Sequence, residues 1–177
     1  MISQMDNYVL DLFEVFALTL NLITLMLSLR LMNANRSFFV TLCVIVVGNG
    51  ASYCVTKCLF ILSTILPDFV SGYWFPHFAL LNACAVYVLY YMHLQINEQL
   101  GYVAVATSTS FLVLICLNIS MFILSTGFGI EGFGVIYSGA VVAINFSISI
   151  GTMMYSIHLR RKQQKELVNK FVSQLSV

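Results

Sequence analysis

Five long apolar runs separated by short turns constrain this chain more than any other feature. The runs cover approximately 8–32, 38–66, 73–95, 102–126 and 133–158, and a helix needs about 20 apolar residues to cross a bilayer. Only 8% of the residues are charged, whereas about a quarter are charged in a typical soluble domain. There is too little polar surface to face water on all sides, so the sequence predicts a polytopic membrane protein.

The runs are predicted to be helices because backbone groups in lipid need hydrogen-bond partners within the protein. The chain also lacks the alternating apolar pattern of membrane β-strands. The breaks at 33–35, 67–72, 97–101 and 127–132 carry Asn, Pro, Asp and Gly, which are residues of turns. We therefore expect an all-α bundle of about five transmembrane helices within residues 1–158, with neighbouring helices antiparallel. A short amphipathic, basic tail is expected over residues 159–177.

The charged residues outside the apolar runs predict the orientation. Arg30 and Arg36 flank the first turn, and further basic residues crowd the C-terminal tail, whereas Asp6, Asp68 and Glu131 fall on the opposite side. Because basic residues accumulate in cytoplasmic segments, the N-terminus is predicted outside and the C-terminus in the cytoplasm. The expected location is a plasma or inner membrane. The first run has no basic segment before it and is too long for a cleavable signal peptide.

The tail combines positive charge with an apolar stripe. Leu167, Val168, Phe171, Val172 and Leu175 share one face of a helix. The stripe fits an interfacial helix on anionic lipid, and it fits equally well a docking helix for a cytosolic protein or a second copy of the chain. The candidate interaction residues are Arg160, Arg161, Lys162, Lys165, Leu167 and Phe171.

One asparagine lies near the middle of every predicted span. An amide in hydrocarbon seeks a partner, and interhelical hydrogen bonds in membranes contribute about 0.6–2 kcal/mol each. A polar layer that holds the helices together is the favoured interpretation, and a substrate or ion site is the alternative. Convergence of several amides on a cavity would favour the alternative. The five residues are Asn21, Asn49, Asn82, Asn118 and Asn145.

Two charged side chains are predicted at similar depths in neighbouring spans. Lys57 lies about 12 Å and Glu14 about 9 Å below the outer ends of their helices, at 1.5 Å per residue. Charges within spans are costly and usually face the bundle interior or a wet cavity. We expect a Glu14–Lys57 ion pair, with Asp11 and His77 as neighbours. The alternative is a Lys57 side chain that extends to the outer interface without pairing.

The last span carries a ridge of small residues at every fourth position, Gly139, Ala143, Ser147 and Gly151. Small side chains let another helix approach closely. The ridge is predicted to be either the seam within the bundle or an interface between subunits. Because five spans form a thin bundle, we favour a homo-oligomer.

Motifs for catalysis, cofactors and metals are weak in this sequence. The pattern G-x-G-x-x-G at Gly127–Gly132 lies between two spans and not between a strand and a helix, so it predicts a turn and no dinucleotide site. Cys54 and Cys58 share a helix face without further soft ligands, which argues against a metal site. The five cysteines are expected to be buried apolar residues. We therefore predict no enzymatic activity, no cofactor and no nucleic-acid partner.

Three classes of function remain open at this stage. The favoured class is a non-enzymatic membrane sensor or signalling subunit whose C-terminal tail works with a cytosolic partner. A related class is a structural membrane protein that recruits a cytosolic protein, for example in a bacterial defence or envelope complex. The alternative class is a small oligomeric transporter or channel, against which the sequence shows no inverted repeat and no matching pair of broken helices.

Overall fold

The computed structural model describes residues 4–31, 35–127 and 134–175, and this part of the chain is helical with no strand. Five α-helices follow one another: α1 (Gln4–Ser28), α2 (Arg36–Ser63), α3 (Pro67–Gln95), α4 (Tyr102–Gly127) and α5 (Gly134–Leu175), with a 3-10 turn at Leu29–Leu31 after α1. Four of these helices are long and apolar enough to cross a membrane, and the apolar part of α1, Leu12–Ser28, is shorter. The predicted all-α bundle is confirmed, with four helices that could span a membrane where the sequence predicts about five; its orientation stays a prediction.

The helix ends follow the local chemistry of the turns. The side chain of Asn35 accepts a hydrogen bond from the Phe38 amide at 3.0 Å and so caps the start of α2. Pro67 occupies the first turn of α3. Backbone N–H groups in the first turn have no acceptor within the helix, so a proline there breaks no helical hydrogen bond. Asn97 takes a left-handed φ of 53° just after α3, a conformation that asparagine tolerates better than most residues.

The helices form a ring. Each helix packs against its neighbours in sequence, and α1 also packs against α5, which closes the ring. Five helices arranged in this way enclose more central space than a four-helix bundle unless other contacts fill that space. Contacts between α2 and α4 fill it in only one half of the bundle.

The packed half lies at the end that the charge pattern predicts to be cytoplasmic. Val44 of α2, Leu89 of α3 and Ala104 of α4 form one buried cluster there. A second cluster joins Ile45 to Phe111 and Leu114. Most of the buried residues of α2 lie in its first third, before Val46. The bundle is therefore closed at the inner end and wider toward the outer end.

Small and polar side chains hold α1 against α5. The Asn21 amide donates to the Ser149 hydroxyl at 3.0 Å, and the Ser28 and Ser156 hydroxyls lie 2.8 Å apart. All four of these residues are almost fully buried. Because small residues let helices approach closely and buried polar groups need partners, this seam couples α1 and α5 over the inner part of α1.

The last helix does not end at the predicted membrane boundary. The sequence predicts a span over 133–158 followed by a short amphipathic tail helix, and α5 runs through both as one helix of 42 residues, about 63 Å long at 1.5 Å per residue. Between His158 and Leu175 the chain has no Gly or Pro and is rich in Arg, Lys, Gln and Leu. These residues favour helix, so nothing in the sequence interrupts the backbone hydrogen bonds.

The cysteines differ from the sequence-based expectation. All five are free, but only Cys43 is half-buried, and Cys54, Cys58, Cys84 and Cys116 are exposed on the helix surfaces. The expectation of buried cysteines is wrong for these four. Lipid is as apolar as a protein core, so an apolar residue in a membrane helix is not forced into the interior.

Candidate functional site

The wide half of the ring contains a cavity of about 600 Å³. All five helices contribute to its lining, α1 through Glu14 alone among the described residues. On α2 the lining runs from Gly48 to Ser63, a depth of about 22 Å at 1.5 Å per residue. On α3 it begins at Pro67, the first residue of the helix. The cavity thus reaches from the predicted outer end to the middle of the bundle.

Four of the five mid-span asparagines line this cavity: Asn49, Asn82, Asn118 and Asn145. The fifth, Asn21, lies in the seam between α1 and α5, where it is fully buried and bonds Ser149. The described hydrogen bonds include none between two asparagines. The structure therefore brings the amides to a shared space, and it does not pair them across the bundle.

Two of the lining amides make hydrogen bonds within the protein. Asn118 donates to the Leu114 carbonyl at 2.7 Å and accepts from the Tyr137 hydroxyl at 2.7 Å, which ties α4 to α5. Asn82 donates to the carbonyl of Phe78, four residues earlier, at 2.8 Å. These bonds satisfy part of the hydrogen-bonding capacity of the two amides, so both amides stabilise the cavity wall.

Three other polar side chains at the deep end of the cavity are Asn49, Ser52 and Asn145. Their side chains make no hydrogen bond to any other described part of the chain. All three line the main cavity and also a second cavity of about 60 Å³ that lies next to it. Each amide offers two donor hydrogens and an acceptor oxygen, and the serine hydroxyl offers both functions. This polar floor can therefore bind a hydrogen-bonding group that enters the cavity.

Aromatic residues form much of the wall above the polar floor. Trp74, Phe75 and Phe78 lie on α3 nearer the outer end than Asn82 does, and Phe60 faces them from α2. The Trp74 ring contacts those of Phe60 and Phe78, with centroids 6.3 and 5.5 Å away, and the Phe75 ring contacts that of Tyr137 at 5.2 Å. Such a wall offers a large apolar contact area to a bound molecule.

The described members of the predicted charge cluster lie in different surroundings. Glu14 lines both cavities. The Lys57 ammonium lies 5.3 Å from the ring centre of Tyr53, which lines the small cavity. His77 lies outside both linings, and its ring contacts Phe78. Asp11 is in α1, with its side chain outside the described part of the structure. The Glu14–Lys57 ion pair stays a prediction.

A polar cluster that the sequence analysis missed closes the inner end of the bundle. The buried His93 ring bonds the Leu89 carbonyl through Nδ1 at 2.7 Å and the Ser37 hydroxyl through Nε2 at 2.8 Å. The Gly101 amide donates to the same Ser37 oxygen at 2.9 Å. A carbonyl only accepts, so Nδ1 carries the proton and Nε2 accepts from Ser37. This chain of bonds joins α2 and α3 to the start of α4.

The small-residue ridge of α5 faces away from the bundle. Gly139, Ala143, Ser147 and Gly151 are all exposed, and an added Cβ at Gly139 or Gly151 would meet no described atom within 4 Å. The seam within the bundle uses other residues of α5, Ser149 and Ser156. The ridge is therefore not that seam, and its role as an interface between subunits stays a prediction. The sequence analysis missed this seam, although Asn21, Thr24 and Ser28 are spaced to share one face of α1 and could have indicated it.

The tail residues differ in their surroundings. Arg160 bonds the Leu27 carbonyl through Nε at 3.0 Å and also through Nη2, which ties α5 to the end of α1. Arg161, Lys162, Lys165 and Leu167 are exposed. Phe171 lies in α5, and its side chain is outside the described residues. The Gly127–Gly132 motif also falls outside them, apart from Gly127 at the end of α4.

Within the described residues, His, Cys, Asp and Glu side chains form no group of three that suits a metal ion. No protein-family model matches this chain, and neither does any curated protein or solved structure. The geometry of the cavity and of α5 therefore carries what can be inferred about function.

Proposed function

We propose that the protein is a non-enzymatic sensor subunit of a plasma or inner membrane. In this proposal the outer cavity binds a small molecule, and α5 passes the occupied state to a cytosolic partner. The observation that carries the proposal is the continuity of α5. This helix lines the cavity with Tyr137 and Asn145 and continues without a break into the basic tail.

The contacts of α5 support transmission along its axis. Asn21–Ser149 and Ser28–Ser156 join it to α1 over the inner half, and Arg160 adds a contact at the end of α1. A force on Asn145 would therefore move α1 and α5 together. A ligand shifts such an element only when it binds one of its positions better than another. Asn49 and Asn145 lie on different helices, so a ligand that bonds both favours one spacing of α2 and α5.

The tail supplies the output in this proposal. Leu167 and Val168 are 67% and 60% exposed, next to Arg161 and Lys165 on the same helix. An amphipathic basic helix is a common docking element for a cytosolic protein with an acidic, partly apolar groove. Anionic lipid is the competing partner for the same chemistry. A homo-oligomer built on the exposed small-residue ridge would present several tails together.

A distance measurement between spin labels tests the transmission. Labels at Gln95 and Gln164, both exposed, report the position of the tail against the inner end of α3, in a background without the native cysteines. Ser52→Phe fills part of the cavity and acts as a built-in occupant. We expect the distance distribution to shift by about 1–2 Å, the scale of helix shifts in such transitions.

Val47→Phe is the matched control, because Val47 lies on the same helix and is 71% exposed. It adds the same ring to the lipid-facing side and should leave the distribution unchanged. Equal distributions in the two variants would contradict transmission from the cavity to the tail.

A transporter is the second candidate, and the asparagine-lined cavity favours it. For transport, the packed inner end would have to open, which breaks the Ser37–His93–Gly101 contacts and the cluster at Val44. Purified protein in liposomes gives the test. Substrate or ion flux without any partner would support this candidate, whereas a sensor should produce none.

A further inference from the structure

We infer that the cavity binds an uncharged amphipathic molecule, with its polar end at mid-membrane depth and its apolar body toward the outer surface. The inference rests on the proposed function in one respect, that the cavity is a ligand site. It adds the chemical class of the ligand and the direction in which it lies.

The direction follows from how polar and apolar groups are layered. The side chains of Asn49, Ser52 and Asn145, which bond no other described residue, lie at the deep end. Trp74 is eight positions before Asn82 on α3, so it lies about 12 Å closer to the outer surface. A molecule with one hydrogen-bonding end therefore places that end below and its apolar chain or ring against Trp74.

The charge of the lining selects against anions. The described lining contains one carboxylate, Glu14, and no lysine, arginine or histidine. An anion would enter a low-dielectric space without a basic group to compensate its charge, which is strongly unfavourable. Carboxylates and phosphates are excluded as the polar end on this ground.

The polar floor favours a neutral group over a cation. Amides and a hydroxyl provide both donors and acceptors, which suits a ligand amide, hydroxyl or carbonyl. An ammonium only donates, so it would leave the donor hydrogens of both amides unused, and the one carboxylate of the described lining, Glu14, already interacts within the chain. It would also lose more hydration at this depth than a neutral group does.

Trp74 makes binding directly observable, because it is the single tryptophan of the chain and lies in the cavity wall. The probe is decanamide with a bromine atom at the far end of the chain, which quenches tryptophan fluorescence on contact. Matched probes with a carboxylate or an ammonium in place of the amide vary the polar end alone. The protein is the full chain in lipid nanodiscs.

We expect saturable quenching by the amide, with at least tenfold weaker binding of the carboxylate and of the ammonium. Asn49→Leu/Asn145→Leu keeps the side-chain size and the tryptophan but removes two hydrogen-bonding partners. Each neutral hydrogen bond corresponds to roughly threefold to tenfold in affinity, so the double variant should bind the amide about tenfold or more weakly. If it does not accumulate as a folded protein, the two single variants should each show about threefold weaker binding or more.

Probe dissolved in the lipid could also quench the tryptophan, and a variant with the tryptophan at another position controls for this. In Trp74→Phe/Leu80→Trp the reporter faces lipid, since Leu80 is 63% exposed, and quenching should rise without saturation. Saturation at both positions would overturn the cavity as the binding site. Equal binding by the Asn-to-Leu variants would overturn the polar floor, and preferential binding of the ammonium or the carboxylate would overturn the uncharged class.

Failure of this inference is distinguishable from failure of the proposed function. If Ser52→Phe moves the tail but no amide binds, the ligand class is wrong and the transmission stands. If the amide binds through Asn49 and Asn145 but the tail does not respond to Ser52→Phe, the ligand class stands and the sensor proposal is wrong.

Discussion

Gly101→Ala should destabilise the inner end of the bundle through one identified contact. A Cβ at this position would lie 2.8 Å from the Ser37 hydroxyl oxygen and 3.5 Å from the Ser37 Cβ. The first distance is too short for carbon and oxygen, so the hydroxyl has to move. That movement breaks its bonds to the Gly101 amide and to His93, which are 2.9 and 2.8 Å long.

The expected cost follows from what is left behind. His93 is 2% exposed, so water cannot easily replace Ser37 as a donor to its Nε2. An unsatisfied buried polar group costs about 1–3 kcal/mol, and we expect Gly101→Ala to lower the free energy of unfolding by about 2 kcal/mol. Ser37→Ala removes the same two bonds and should cost a similar amount.

The double variant distinguishes this explanation from general disruption. With Ser37→Ala present, the new Cβ meets a Cβ at 3.5 Å, an ordinary contact, and the bonds are already lost. The two changes should therefore cost about 2 kcal/mol together and not about 4, a coupling of about 2 kcal/mol. Thermal unfolding in detergent, or unfolding by a denaturing detergent, measures all four proteins of the cycle. Additive losses would refute the argument.

Three further predictions concern α5 and the charged residues. Ala143→Leu and Ser147→Leu should disrupt the predicted oligomer without unfolding the protomer, because both positions are exposed; an unchanged size on native gels would contradict the interface. Exchanging the charges of Glu14 and Lys57 should restore assembly relative to either single reversal, and a double variant that assembles no better than the single ones would contradict the ion pair. Arg160→Gln should loosen α1 from α5, because it loses the charged contact to the last turn of α1, at a cost of about 1–2 kcal/mol; hydrogen exchange at the end of α1 should rise, and unchanged exchange would contradict this.

The helices themselves are predictable from the sequence, because membrane spans are long apolar runs and the turns carry strong local signals. Asn35 caps α2 and Pro67 begins α3, within a few residues of the predicted breaks. The end of α5 was not predictable in the same way. The change from apolar to basic residues marks a change of solvent, and it does not interrupt the helix.

The face that each helix turns to its neighbours was less predictable. In water, apolar residues indicate the core, but in a membrane lipid and core are equally apolar. The small residue Ala143 faces outward and the small residue Ser149 faces inward, although both fit helix packing. The cavity depends on contact between α1 and α5, whose bonded pair Asn21 and Ser149 is 128 positions apart, and no local pattern specifies that pairing.

The asparagines show both the strength and the limit of sequence reasoning. Their equal depth was readable from the spans, and the structure brings four of them to one cavity. The hydrogen-bond partner of each asparagine depends on the rotation of its helix about the helix axis. That rotation is set by packing between distant parts of the chain.

The central claim is that the state of the cavity reaches the predicted cytoplasmic end of α5. The most direct measurement is the Gln95–Gln164 spin-label distance in Ser52→Phe, with the Trp74 emission spectrum recorded on the same sample to show that the cavity has changed. The account predicts a changed spectrum together with a distance shifted by about 1–2 Å. A changed spectrum with an unshifted distance would contradict it.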